Sequence, residues 1–237
     1  MALLRSSKPL DAAPIIRGTG VMLRAPTMAD YPAWAEVRAL SRDHLMPWEP
    51  LWSRDELTRS AFRRRVRHYQ REAREDLGYA FLIFAAPQPA SASARGRYDI
   101  NANLVTIARS MHPAPALVGG VTLTNVRRGV TQAATLGYWL GAPYVGRGLM
   151  HDALSALVPF AFDVLRLHRI EAAVMPCNAA SLRTLGRLGF CREGLARRYL
   201  KIAGRWEDHI LFALLAEDVG RCEGGSSRRW EVRSVSP

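Results

Sequence analysis

Residues 137–150 read Gly-Tyr-Trp-Leu-Gly-Ala-Pro-Tyr-Val-Gly-Arg-Gly-Leu-Met, and an apolar helical stripe follows without a break. The pattern predicts a strand, a tight glycine turn and the start of a helix. Gly146 and Gly148 lack a Cβ, so the chain can turn sharply there and bring backbone amides close to a ligand. A helix beginning at such a turn has unpaired N–H groups and a positive dipole end, which suit an anion such as a pyrophosphate. Met150, Ala153, Leu154, Leu157, Val158, Ala161, Phe162 and Leu165 recur at helical spacing and predict one buried face. Pro159 is expected to kink this helix near the preceding turn.

The chain has 237 residues, 49% of them hydrophobic, enough for one substantial core. No apolar run approaches the roughly 18 residues of a membrane span. Residues 1–14 carry Arg5, Lys8 and Asp11 and read as a flexible arm rather than a secretory signal. Three cysteines (Cys177, Cys191, Cys222) form no CxxC pair, which argues against a disulfide framework or a zinc site and for a reducing, cytoplasmic setting. The net charge is +12, and all but Lys8 and Lys201 of the 33 basic residues are arginine. Such a surface favours anionic partners. Nucleic acid is not expected as the main partner, ribosome association apart, because no zinc finger, RNP-type strand or zipper-linked basic region is present.

Residues 21–24 read as a short strand. Thr27 is expected to N-cap a helix running to about Leu40, with Asp30 in its first turn. Pro47-Trp48-Glu49-Pro50 excludes regular helix, and Ser53 or Asp55 is expected to open a long helix to about Glu75. Its arginines (59, 63, 64, 65, 67, 71 and 74) read as a solvated face. Residues 79–86 are nearly all apolar, as in a strand covered on both sides. Residues 87–114, rich in Pro, Ala, Ser and Arg, read as a loop insertion, with 104–108 able to form a short strand. Strands are expected at 117–124, 133–140 and 169–174. Asn178 or Ser181 starts a further helix, which Gly189 ends after Leu188. Residues 190–202 and 206–215 form a hairpin about Ala203-Gly204, and the tail from Gly220 is expected to fray. The whole predicts a single α/β domain over 15–218, with a mixed sheet and helices on both faces.

This order resembles the GNAT acetyltransferase superfamily. The carrying residues are Gly-Tyr-Trp-Leu (137–140), Tyr-Val-Gly-Arg-Gly-Leu-Met (144–150), Leu-His-Arg-Ile-Glu-Ala (167–172), Asn-Ala-Ala-Ser-Leu-Arg (178–183), Leu-Gly-Phe-Cys-Arg-Glu-Gly (188–194) and Tyr-Leu-Lys-Ile-Ala-Gly-Arg-Trp-Glu-Asp-His (199–209). The last segment is similar to the Rim-type branch, the ribosomal-protein alanine N-acetyltransferases. The resemblance implies a mostly antiparallel sheet in which strands 133–140 and 169–174 splay apart to admit acetyl-CoA. It further implies that amides of Trp139, Leu140 and Gly141 bond the pantetheine, and that those of Val145, Gly146, Arg147, Gly148, Leu149 and Met150 hold the pyrophosphate. Asn178 would bond the pantetheine arm and Arg183 the nucleotide phosphates. Pro143 stands where relatives often carry Gln or Arg.

Acetylating an amine requires a neutral nitrogen, a polarised thioester carbonyl and a proton for the departing thiolate. Glu171, on the strand beside the wedge, is the first candidate for the base. Ser181 matches a Rim-branch serine proposed to protonate or bond the thiolate, and is equally suited to N-capping. Tyr199 is a third candidate. Trp48 and Trp52 are candidates to line an acceptor pocket. Asp208 and His209 are adjacent on a strand and so point to opposite faces. The remaining histidines lack metal-ligand spacing, and no metal is expected. The acceptor implied is a protein N-terminus, by resemblance that of a ribosomal protein. A polyamine, an aminoglycoside or another small amine is the alternative, and a non-catalytic CoA-binding or RNA-associated protein a second one. Monomer and homodimer both remain open.

Overall fold

A computed structural model describes residues 14–85 and 115–219. The expected insertion at 87–114, the short strand within it, and nearly all of the two terminal segments lie outside the described residues. Eight strands form one sheet: β1 (Ile15–Gly18), β2 (Val21–Arg24), β3 (Tyr79–Ala85), β4 (Ala116–Arg127), β5 (Ala133–Leu140), β6 (Arg169–Val174), β7 (Cys191–Ile202) and β8 (Arg205–Leu215). Their spatial order is β1-β2-β3-β4-β5-β6-β8-β7. Every neighbouring pair is antiparallel except β5–β6. Parallel neighbours need a crossover, supplied here by the helix that follows the glycine turn.

Strand alternation divides the core into two layers. On β3, Tyr79, Phe81 and Ile83 face one side, where they pack with the crossover helix α4 (Leu149–Pro159) and with α5 (Ala179–Arg187). Leu82 and Phe84 face the other side and meet Trp34 and Val37 of α1 (Tyr31–Leu40) and Phe62 and Val66 of α3 (Arg59–Arg74). A one-turn helix, α2 (Arg42–Leu45), follows α1. All eight positions of the expected stripe, five on α4 and three in the turn that follows it, are buried. The helix stays α-helical through Pro159 and then widens into a π turn over Phe160–Val164, closed by Leu165 N donating to Phe160 O at 3.0 Å.

Other boundaries moved for identifiable reasons. The long helix begins at Arg59, not near Ser53 or Asp55, because Thr58 is the cap and its Oγ1 accepts from Ala61 N at 3.2 Å. Asp55 and Glu56 instead reach forward to Arg64 and Arg65 of the same helix. Arg65 is therefore not part of a solvated face: it bonds Glu56 at 2.5 Å and lies 5.5 Å from the ring centre of Trp34. Thr27 precedes a 3-10 turn, Met28–Asp30, rather than α1 itself.

Asp30 is the tie at the start of α1. Its carboxylate accepts from Arg24 Nη1 at 2.8 Å and Nη2 at 2.5 Å, and from Thr27 N and Oγ1 at 2.7 and 2.9 Å. Burial pushes the Asp30 pKa up, but the bonds from Arg24 and Thr27 outweigh it and hold the group below its ordinary 3.8. A depressed folded pKa stabilises the fold above the unfolded value, and that stability is lost as pH falls through the folded one. Asp30→Asn is expected to cost about 1–3 kcal/mol in chemical denaturation at pH 7, because it leaves Arg24 poorly paired. The gap to wild type should close as the pH drops below 3.8.

Candidate active site

β5 and β6 pair over only three positions, Ala133↔Arg169, Ala134↔Ile170 and Thr135↔Glu171. Beyond them β5 stays bonded to β4 out to Gly119↔Leu140, while β6 stays bonded to β8 out to Val174↔Ile210. Each strand therefore follows its other neighbour, and a wedge opens between 136–140 and 172–174. Gly141 N donates to Val118 O at 2.8 Å, so by the alternation of an antiparallel ladder Gly141, Trp139 and Gly137 direct their amides to β4. The amides of Tyr138 and Leu140, beyond the last rung of the β5–β6 ladder, face the wedge. Of the three amides expected to bond a ligand, Leu140 has the right direction, whereas those of Trp139 and Gly141 are turned to β4.

The wedge leads into the glycine turn. After the 3-10 turn Ala142–Tyr144, whose Ala142 N donates to Ser41 Oγ at 2.8 Å, the chain passes Gly146 at φ +76° and Gly148 at φ +77°. An L residue is strained at such angles. A Cβ at either glycine would meet nothing within 4 Å, so the space in front of the turn is open to a ligand. The first bond of α4 runs from Asp152 N to Gly148 O at 3.0 Å, which leaves the amides of Leu149, Met150 and His151 ahead of the ladder. Their side chains differ in role: Leu149 and Met150 are buried.

A cleft of about 480 Å³ joins these parts. It is lined by Tyr138, Trp139 and Leu140 of β5, by Val145, Gly146, Gly148, Leu149 and Met150, and by Asn178, Ser181, Arg183 and Arg187 of the α5 region, with His44, Trp48 and Glu49 closing the opposite wall. Asn178 caps α5, its Oδ1 accepting from Ser181 N at 3.1 Å. Ser181 is thus the recipient of the cap and keeps its hydroxyl for other use. Beside it, Tyr138 has a buried hydroxyl with no hydrogen-bond partner; burial raises its pKa and the Ser181 side chain opposes that rise. Tyr138 was not singled out from the sequence, although the period-2 alternation that places Leu140 in the wedge places Tyr138 there too.

Arg147 keeps its backbone in the turn between Gly146 and Gly148, while its side chain is exposed with the guanidinium 5.8 Å from the ring centre of Tyr144. Two expected residues lie elsewhere. Glu171 sits at the closed end of the wedge. Its Oε2 accepts from Arg127 at 2.5 Å and its Oε1 from Arg169 Nε at 2.9 Å, which argues against the base role expected of it. Tyr199, half-exposed on β7, packs edge-on to His209 at 6.0 Å, outside the residues that line the cleft.

A second chamber of about 380 Å³ lies on the other face of β5, under α1 and α3, with Arg38, Trp52 and Glu56 among its lining residues. It shares two lining residues with the first cleft, Glu49 and Trp139. Arg38, on its wall, is buried. Its Nη1 and Nη2 donate to Glu49 Oε1 and Oε2 at 3.0 and 2.6 Å, and its guanidinium carbon lies 4.5 Å from the ring centre of Trp52 and 5.0 Å from that of Trp139.

A parallel pair opened beside a glycine turn, within an otherwise antiparallel sheet, defines an acetyltransferase fold of the GNAT type. Residues 21–191 match the family model described as Acetyltransferase (GNAT) domain, and the chain belongs to that family. It is 32% identical over 204 residues to Probable N-acetyltransferase YjcK of Bacillus subtilis, covering 86% of this chain and 98% of that one. It is 30% identical over 207 residues to the ribosomal protein uS5-alanine N-acetyltransferase of Escherichia coli, covering 86% and 93%. Among solved structures, RimJ of Mycobacterium smegmatis in complex with CoA-disulfide superposes with a TM-score of 0.70 at 30% identity, covering 88% of each chain. The chain is an N-acetyltransferase. Among the described residues no helix is long and apolar enough to cross a membrane.

Gly148→Asp tests the anion site. Asp is a good N-cap and tolerates positive φ better than most residues, so the melting temperature should stay within a few degrees. A carboxylate facing phosphates should weaken acetyl-CoA binding by at least about tenfold in calorimetry, whereas Gly148→Ala should cost less.

Proposed function

We propose that this chain transfers the acetyl group of acetyl-CoA to the α-amino group of a protein N-terminus, with a ribosomal protein as acceptor. The observation that carries the reading is the wedge: outward amides on β5 lead directly to an open glycine turn at a helix start. A thioester with a pantetheine arm and a pyrophosphate has the length and the hydrogen-bonding groups to follow that path. The names of the Escherichia coli and Mycobacterium smegmatis relatives support the coenzyme and the kind of acceptor.

In this reading the amides of Gly146, Gly148, Leu149 and Met150 hold the pyrophosphate, with Val145 and Arg147 flanking the turn. Arg183, which lines the same cleft from α5, adds positive charge. The Nδ2 hydrogens of Asn178, whose Oδ1 is engaged by the cap, serve the pantetheine arm. When bound, acetyl-CoA supplies a carbonyl to which the amine nitrogen adds and a thiol that departs. Leu140 N–H is directed into the wedge, where it can polarise that carbonyl. Ser181, beside the neutral Tyr138 hydroxyl, hands a proton to the departing sulfur and is reprotonated by the amine nitrogen, which sheds a proton as the amide bond forms. Positioning of the two reactants accounts for much of the remaining acceleration.

Offering peptides that begin with Ala or Ser alongside spermidine and an aminoglycoside, and following thiol release, checks the acceptor class. The peptides should be acetylated with the highest kcat/KM. Thiol release with the small amines alone would overturn the reading. Ser181→Ala should lower kcat about 10–100-fold with acetyl-CoA affinity nearly unchanged. Glu171→Gln, by contrast, should retain most of kcat, because both oxygens of that carboxylate are held by arginines.

A further inference from the structure

The coenzyme cleft and the second chamber lie on opposite faces of β5 and meet at Glu49 and Trp139. A nucleophile entering from the chamber has to pass this junction to reach a thioester lying in the wedge. Trp139 offers only an N–H donor, and its Nε1 lies against the backbone of Gly120, where an added Cβ would be 2.6 Å away. Glu49 is therefore the acceptor group at the junction.

Each oxygen of a carboxylate has two lone-pair sites. Glu49 Oε2 uses both, accepting from Arg38 Nη2 at 2.6 Å and from Trp52 Nε1 at 2.7 Å. Oε1 accepts from Arg38 Nη1 alone, at 3.0 Å. One lone pair on Oε1 is thus left over. The carboxylate cannot swing away from the junction, because its orientation is set by the two-point contact with a buried guanidinium clamped between tryptophans. The backbone is fixed as well: Glu49 O accepts from Ala203 N, at the tip of the β7–β8 hairpin, at 2.9 Å. The other carboxylate in the chamber, Glu56, is bonded to Arg65 and lies outside the residues shared with the cleft.

We propose that Glu49 Oε1 receives the amino group of the acceptor and orients its nitrogen toward the wedge, with Arg38 as the positioning residue behind it. The inference rests on the reading of the chain as an amine acetyltransferase and adds the residue that recognises the amine. Steady-state kinetics with the full chain and its best peptide test it. Glu49→Gln keeps the shape and removes the charge, so the acceptor KM should rise about 10–100-fold while the acetyl-CoA KM stays within about twofold. A second measurement needs only wild-type protein. Saturated with CoA, it should bind an Ala-initiated peptide at least about tenfold more tightly than the des-amino analogue with propionyl in place of alanyl. Equal affinity for the two peptides, or an unchanged acceptor KM in Glu49→Gln, overturns the assignment. Absence of thiol release by the wild type with every amine would instead overturn the functional reading itself, so the two failures are distinct.

Discussion

The active site depends on a competition that β5 and β6 each lose to their outer neighbours. A strand with a partner on both sides can satisfy both only while the two partners stay parallel and in reach. β5 is bonded to β4 along its length, and β6 to β8, so the short shared ladder at Ala133–Thr135 is all that joins the two halves. Past that ladder the outward amides of Tyr138 and Leu140 have no strand to bond. A strand-like ligand can fill that gap without displacing any protein contact. Closing the wedge would require β5 to leave β4, where Gly119 permits close approach: a Cβ there would lie 2.4 Å from Trp139 O.

The two layers on either side of the sheet divide the work. The α4–α5 layer is apolar to its centre and holds the helix start and the cap of α5 rigidly around the phosphate end. The α1–α3 layer buries charge instead. Arg38 brings a guanidinium into an aromatic enclosure, which is tolerated because Glu49 pairs with it in two-point fashion and Trp52 shares the same carboxylate. Removing either partner would strand a buried charge, so the pair contributes position more than net stability. The consequence for the site is a carboxylate of fixed geometry where the two cavities meet.

The parts of this arrangement that were legible in the sequence are those with a local cause. β5 and β6 were found to the residue because alternation and flanking turn residues bound them, and the sheet with helices on both faces followed from the order of elements. The cap of α5 was narrowed to Asn178 or Ser181 and proved to be Asn178 bonding Ser181. What escaped depended on partners distant along the chain. Glu171 has a suitable place on its strand, but the pattern of one strand cannot show Arg127 arriving from β4 to bind it. Glu49 drew no notice beside Trp48, since its partner Arg38 lies a helix and a turn upstream. Arg65 read as one more solvated arginine, although Trp34 and Glu56 draw it inward.

The same scarcity of free carboxylates bears on the acceptor. With 33 basic and 21 acidic residues, most acidic groups near the site are already bonded to arginine: Glu49 to Arg38, Glu56 to Arg65, Glu171 to Arg127 and Arg169, Glu193 to Arg169. A carboxylate so held already spends lone pairs on guanidinium donors and has fewer to offer an incoming ammonium group. An amine of pKa about 10.4, like that of a lysine, is almost wholly protonated at neutral pH and would need a strong base. A protein α-amino group, at about 7.7–8.0, is already neutral in a sizeable fraction and can lose its proton to water. A site whose carboxylates are engaged by arginine is therefore better matched to an α-amine than to a polyamine.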